Sequence, residues 1–156
     1  MRKPRIYLDT SVIGGCFDPE FSVFSVELFQ EIAREFFVPV ISQVTIDEIM
    51  SAPSIVREKL KAVLGLAHTE VVSHSSEFTE LAEAYIKEKA IPSKFREDAT
   101  HIAIATIQKV DVLVSWNFKH IVNLRRIHLF NAVNIKLGYP TLEIRSPREV
   151  IENGGS

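Results

Sequence analysis

The sequence predicts an α/β protein: a mainly parallel central sheet of about five strands with helices on both faces. Three observations predict it. Short β-rich runs alternate with segments of helical period from one end of the chain to the other. Strands separated by helices imply crossover units, and those place strands side by side and parallel. No repeat, low-complexity tract or interior linker divides the 156 residues. Residues 1–152 are therefore expected to form one domain, with residues 153–156 as a loose tail.

Taken in order, Arg5, Ile6, Tyr7 and Leu8 form the first β-rich run, closed by Asp9, Thr10 and Ser11, with Gly14 and Gly15 read as breakers. From 23 to 36 the residues Phe24, Leu28, Ile32 and Phe36 recur every four positions, the period of a helix. Residues 37–41 read as a second strand, and Pro39 argues for an edge or strand-start position because proline cannot donate to a ladder. Helical text covers 44–50 and 54–66, with Pro53 between. A brief third strand at 70–73 precedes a helix marked by Phe78, Leu81, Ala82 and Tyr85, which stops near Pro92. Residues 94–108 carry apolar side chains on most faces, so this helix is expected to be largely buried. Val112, Leu113 and Val114 make a fourth strand, 124–137 a helix and 142–144 a fifth strand. Ser146, Pro147 and Glu149 give a helix start with cap, N1 proline and N3 acid.

Composition bounds the function. With 46% hydrophobic and 24% charged residues this is an ordinary globular chain, long enough to fold without a disulfide or structural metal. Its single cysteine, Cys16, excludes an internal disulfide and a cysteine-rich zinc site. No signal peptide and no run of about 20 apolar residues is seen, so a cytoplasmic protein without membrane spans is expected. Net charge is −2, so any nucleic-acid surface must be local. One region qualifies: residues 112–150 hold six basic side chains against two acidic ones, a local +4. Lys119, Arg125 and Arg126 are its candidates for holding phosphates, or else belong to a solvated helix face.

In parallel α/β sheets the site lies outside the carboxyl ends of the strands. Asp9 closes strand one there, as a site residue or as a turn aspartate. Glu48, in Thr45-Ile46-Asp47-Glu48, is either a ligand or the N3 member of a capping box with Thr45 as cap. Asp98 opens the buried helix. It serves the helix dipole, or, on a buried face, it needs a partner or a cation. His101 lies one turn on, a structural side chain or a hydrogen-bond partner for Asp98. Asn117 follows strand four and either offers an uncharged oxygen to a cation or caps a turn; its neighbours Trp116 and Phe118 read as packing before base stacking.

The order of these pieces is more specific than any one of them. Tyr7-Leu8-Asp9-Thr10-Ser11, Thr45-Ile46-Asp47-Glu48-Ile49, Glu97-Asp98-Ala99-Thr100-His101 with Ile102 to Ala105, and Leu113-Val114-Ser115-Trp116-Asn117-Phe118 together resemble the PIN-domain family of nucleases. The resemblance spans about Ile6 to Ile144. It implies a three-layer αβα sandwich and magnesium- or manganese-dependent cleavage of RNA. Many small relatives are VapC-like toxins of bacterial and archaeal toxin–antitoxin pairs, which implies an antitoxin partner and a homodimer as expectations. Carried over, Asp9, Glu48 and Asp98 are the acidic metal ligands, directly or through water, and Ser11 supports the first carboxylate. An all-oxygen set of this kind selects Mg²⁺ or Mn²⁺ over zinc. Asn117 departs from the pattern: many PIN domains carry a fourth acid there, and an amide removes one charge, which favours one-metal over two-metal chemistry. It equally permits a catalytically weak module that binds RNA or a protein. Among other enzymes, a HAD-like phosphohydrolase would need an aspartate at position 11, where Ser11 stands, and neither a dinucleotide nor a P-loop glycine motif occurs.

Overall fold

In the computed structural model, which describes residues 2–151, five parallel strands form one sheet in the order β3-β2-β1-β4-β5. The strands are β1 (Arg5–Leu8), β2 (Val38–Ser42), β3 (Glu70–Val72), β4 (Val112–Val114) and β5 (Ile144–Arg145). The helices are α1 (Thr10–Gly15), α2 (Ser22–Ala33), α3 (Gln43–Ile49), α4 (Ser54–Leu64), α5 (Ser76–Lys87), α6 (Arg96–Ile107), α7 (Leu124–Lys136) and α8 (Pro147–Val150), with a 3-10 turn at Ser93–Phe95. The expected tail 153–156 and the ends of the expected domain, 1 and 152, lie outside the described residues.

The period of two along the strands sorts side chains into two cores. Ile6, Leu8, Ile41, Val112 and Val114 pack with Val12, Leu28, Ile32, Ile49 and Leu60 from α1 to α4. Tyr7, Val40, Leu113 and Ile144 pack on the opposite face with Phe78, Tyr85, Ile102 and Phe130 from α5 to α7. This is the expected α/β sandwich. As expected from its composition, α6 is nearly enclosed, with Ala99 and every residue from His101 to Thr106 buried. The capping box of α8 is present: Glu149 Oε1 accepts from Ser146 N at 3.0 Å.

Three local expectations are refined. Gly14 and Gly15 are the last two residues of α1, so the chain breaks after them and not before. A Cβ on Gly15 would stand 2.7 Å from Ser25 Oγ and 2.8 Å from Trp116 Nε1, so glycine is needed for close approach there, whereas Gly14 has open space. Pro39 is the second residue of an inner strand, between β1 and β3, so of the two expected positions the strand start is realised and the edge is not. The strand tolerates it because Val38 N makes the bond to Pro4 O, and β3 begins alongside Val40, one residue later. The fifth strand starts at Ile144 and not at Leu142, since Asn131 on α7 takes up both backbone groups of Leu142, at 2.7 and 3.1 Å.

Helices α2, α5, α6 and α7 end alike. Glu35, Lys89, Lys109 and Gly138 adopt positive φ, and the next residue's N–H closes back onto a carbonyl in the last turn. Three of the four are not glycine, a conformation that costs roughly 1–2 kcal/mol for an L residue.

Candidate functional site

Because side chains alternate along a strand, the residues just beyond the carboxyl ends inherit the face of the strand residue two places before. Ser42 follows Val40, Asp9 follows Tyr7 and Ser115 follows Leu113, so all three fall on the α6 face of the rim. Asp9 is 4% exposed. Its Oδ1 accepts from Ser11 Oγ at 2.6 Å and its Oδ2 from Ser115 Oγ at 2.5 Å, while Val12 N reaches Oδ1 at 3.3 Å as the first cap of α1. The turn role and the site position are thus held by one residue. Ser11 supports the carboxylate as expected, and Ser115, which sequence reasoning left without a role, supports it equally.

Glu48 is not the N3 residue of a capping box. Ser42 caps α3, accepting from Thr45 N at 3.2 Å, so Glu48 sits in the last turn and is free of a capping duty. Its Oε1 accepts from His101 Nε2 at 2.6 Å. Expectation had tied His101 to Asp98; instead its other nitrogen, Nδ1, meets Tyr7 Oη at 2.6 Å, and Tyr7 meets Ser42 Oγ at 2.7 Å. The chain Glu48–His101–Tyr7–Ser42 thus crosses from α3 through α6 to the adjacent strands β1 and β2. Each link is buried or half-buried, so the orientation of Glu48 is fixed by the core. Tyr7 and Ser42 are the other members of this network that sequence reasoning missed. The signal was available: Tyr7 shares a strand face with Asp9.

Asp98 is half-buried in the first turn of α6. Its Oδ2 accepts from Asn117 Nδ2 at 3.2 Å. The oxygen of the same amide accepts from His120 N at 2.9 Å, closing the turn after β4. Of the two expected roles for Asn117 the turn cap is realised, and the group facing Asp98 is a donor.

The electrostatics follow from this crowding. Burial raises the Asp9 pKa above its ordinary value, against the pull of His101 and the two serine hydroxyls. Asp98 is also raised, first by burial and then by the charges of Asp9 and Glu48, with His101 and Asn117 opposing. His101 is driven the same way: burial disfavours its charge, but Tyr7, Glu48 and Asp9 together hold its pKa well above the usual histidine range. Asp98 therefore feels the charges of both Asp9 and Glu48, and His101 opposes the rise at Asp98 and at Asp9. Among the described residues no three side chains of His, Cys, Asp or Glu close around a single ion position as they stand. Asp9, Glu48 and Asp98 form a charge cluster with hard oxygen donors, which fits magnesium or manganese in kind, and each carboxylate is held in place from behind by a serine, His101 or Asn117.

Beyond Glu48 the rim opens into a hollow lined by Val44, Asp47, Glu48, Ser51, His74 and Glu97. Of the expected phosphate holders, Lys119 and Arg125 are exposed, but Arg126 is half-buried and donates through Nη1 to Ala90 O at 2.7 Å, which ties it to the end of α5.

No family model and no curated protein matches the sequence. Solved structures do match the fold. One is a chain of VapBC2 from Rickettsia felis bound to a DNA fragment from its promoter, with TM-score 0.56 and 15% identity over 91% of this chain and 98% of that one. A toxin–antitoxin complex from Klebsiella pneumoniae gives 0.53 and 19% over 74% and 88%. The tyrosyl-tRNA synthetase from Aeropyrum pernix gives 0.50 and 10% over 92% of this chain and 53% of that one. The chain thus has a PIN-like α/β fold, like the VapBC2 neighbour, which agrees with the fold expected from the sequence. A synthetase among the neighbours shows that the fold by itself does not name an activity, which has to come from the rim. No described helix is long and apolar enough to cross a membrane.

Proposed function

We propose that this protein is a metal-dependent endoribonuclease, acting as the toxin of a toxin–antitoxin pair. The observation that carries the proposal is the cluster itself. Asp9, Glu48 and Asp98 come from three separate parts of the chain, share one rim, and the charges of Asp9 and Glu48 add to burial in raising the pKa of Asp98 there. Carboxylates gathered at one rim, with no arginine or lysine paired to them among the described residues and only His101 on Glu48, are the arrangement a divalent cation relieves. Asp9, Asp98 and Glu48 would hold Mg²⁺ or Mn²⁺, directly or through water. When bound, such a cation lowers the pKa of a water and steadies the charge that develops on a phosphodiester. Ser11 and Ser115 hold Asp9 with both oxygens oriented. Asn117 holds Asp98 by donating to it, the role a second cation has where an acid stands at this place, so the proposal is for one metal.

Support for the biological setting is the fold shared with toxin–antitoxin complexes, together with the resemblance in sequence. A small protein antitoxin covering the rim is the corresponding partner. A second reading is favoured by the Asn117–Asp98 bond alone: a module that binds RNA or protein and cleaves feebly. Incubating the purified chain, free of any inhibitor, with single-stranded RNA and Mn²⁺ separates them. Cleavage that disappears in Asp98→Asn supports the nuclease; no cleavage of any RNA with either metal supports the module.

A further inference from the structure

The acidic hollow beside Glu48 has a counterpart of opposite sign on the other side of the rim. Asn117 joins the two sides, with its nitrogen on Asp98 and its oxygen on the backbone of His120. The His120 ring, 7% exposed, lies on Phe95 with ring centroids 3.6 Å apart, and its Nδ1 has no hydrogen-bond partner among the described residues. Lys94 Nζ stands 5.2 Å from the centre of the same Phe95 ring. Arg126 reaches in from α7 to the Ala90 carbonyl, and Lys119 adjoins His120 in the chain. Among the described residues no acid forms an ion pair with Lys94, Lys119 or Arg126. Burial lowers the His120 pKa, and the charges of Lys119, Arg126 and Lys94 lower it further.

We infer that Lys94, Lys119 and Arg126, set around the Phe95–His120 stack, form an anion subsite that takes a backbone phosphate of single-stranded RNA next to the one at the acidic cluster. The inference rests on the ribonuclease reading for the identity of its ligand. Uncompensated cations gathered at one spot are stabilised by an anion, and a polyanion running along the rim meets them one turn from Asp98. The subsite also gives the rim a direction. RNA is attracted at the His120 side and repelled at the hollow where Asp47, Glu48 and Glu97 gather, so the strand is bound mainly on one side of the cut.

The test measures binding apart from cleavage. A fluorescein-labelled single-stranded RNA octamer is titrated with the full chain in EDTA, at several salt concentrations, for wild type, Lys94→Gln, Lys119→Gln and the double variant. Lys61→Gln, on the exposed side of α4, is the control. Loss of the one phosphate contact should reduce the slope of log affinity against log salt by about 0.7 for a single strand, most fully in the double variant, while the control keeps the wild-type slope. A double variant with wild-type slope and affinity, a control that falls equally, or a wild type that binds no RNA would overturn the subsite. Adding Mn²⁺ distinguishes the two readings. Altered slopes without cleavage leave the subsite standing and sink the nuclease; cleavage with unaltered slopes does the reverse.

Discussion

Asn117 Nδ2 donates to Asp98 Oδ2 at 3.2 Å, so the residue that departs from the acidic pattern is hydrogen-bonded to the acid it would otherwise repel. An aspartate at 117 would put a fourth carboxylate against a site where Asp98 is already raised by burial, Asp9 and Glu48. Asn117→Asp should therefore destabilise the metal-free protein by roughly 1–3 kcal/mol, the range for a lost buried hydrogen bond with charge repulsion added. Mn²⁺ should restore more than it adds to wild type, and calorimetric titration should show tighter or additional Mn²⁺ binding. Equal thermal stability of the two metal-free proteins would show that the amide has no such role.

The pH dependence has a definite sign. Asp9 and His101 both have folded-state pKa values above their ordinary ones. A group raised in this way stabilises the fold below its unfolded pKa, and that contribution is lost as pH rises through the folded value. Acids held low by arginines, such as the half-buried Glu70 beside Arg5, act only as pH falls below the ordinary carboxylate range. From mildly acidic to alkaline pH the metal-free melting temperature should therefore decline. Asp9→Asn should make that decline shallower, and it should raise the melting temperature at neutral pH while abolishing stabilisation by Mn²⁺. A profile for Asp9→Asn that is as steep as wild type contradicts this.

Tyr7→Phe removes one hydroxyl and leaves two buried groups, His101 Nδ1 and Ser42 Oγ, without it. The expected cost is about 1–3 kcal/mol in denaturant unfolding. Cleavage should fall but survive, because Tyr7 positions His101 and Glu48 without itself holding the cation. Abolished cleavage in a stably folded Tyr7→Phe would assign the hydroxyl a more direct part.

Neighbouring glycines should respond in opposite ways. Gly15→Ala forces a methyl against Ser25 and Trp116 and should cost about 1–3 kcal/mol, with a change in tryptophan fluorescence. Gly14→Ala meets nothing within 4 Å in the same helix and should stabilise by up to about 1 kcal/mol.

Most of the fold was legible in the sequence, because strand alternation and helix period report burial directly: Ile6, Tyr7 and Leu8 announce both cores at once. What failed were places where one tertiary contact overrode a local rule. Gly15 reads as a plain breaker until Trp116, a hundred positions away, shows the close approach that requires it, and Pro39 reads as an edge or a strand start until the late start of β3 selects the second. The site was legible as a set of acids but not as a network. Spacing along α6 put His101 with Asp98; only the approach of α3 assigns it to Glu48. Ser115 and Ser42 carried no signal as lone hydroxyls, although their positions at alternating strand ends would have found them.

The central claim is that Asp9, Glu48 and Asp98 act together on one divalent cation to cut RNA. The most direct measurement is a Mn²⁺ titration of RNA cleavage by wild type beside Asp98→Asn, with melting temperatures recorded in the same samples. The expected result is saturable cleavage and rising stability in wild type, and neither in the variant despite a folded chain. Cleavage by Asp98→Asn at the wild-type rate and the same Mn²⁺ midpoint would contradict it.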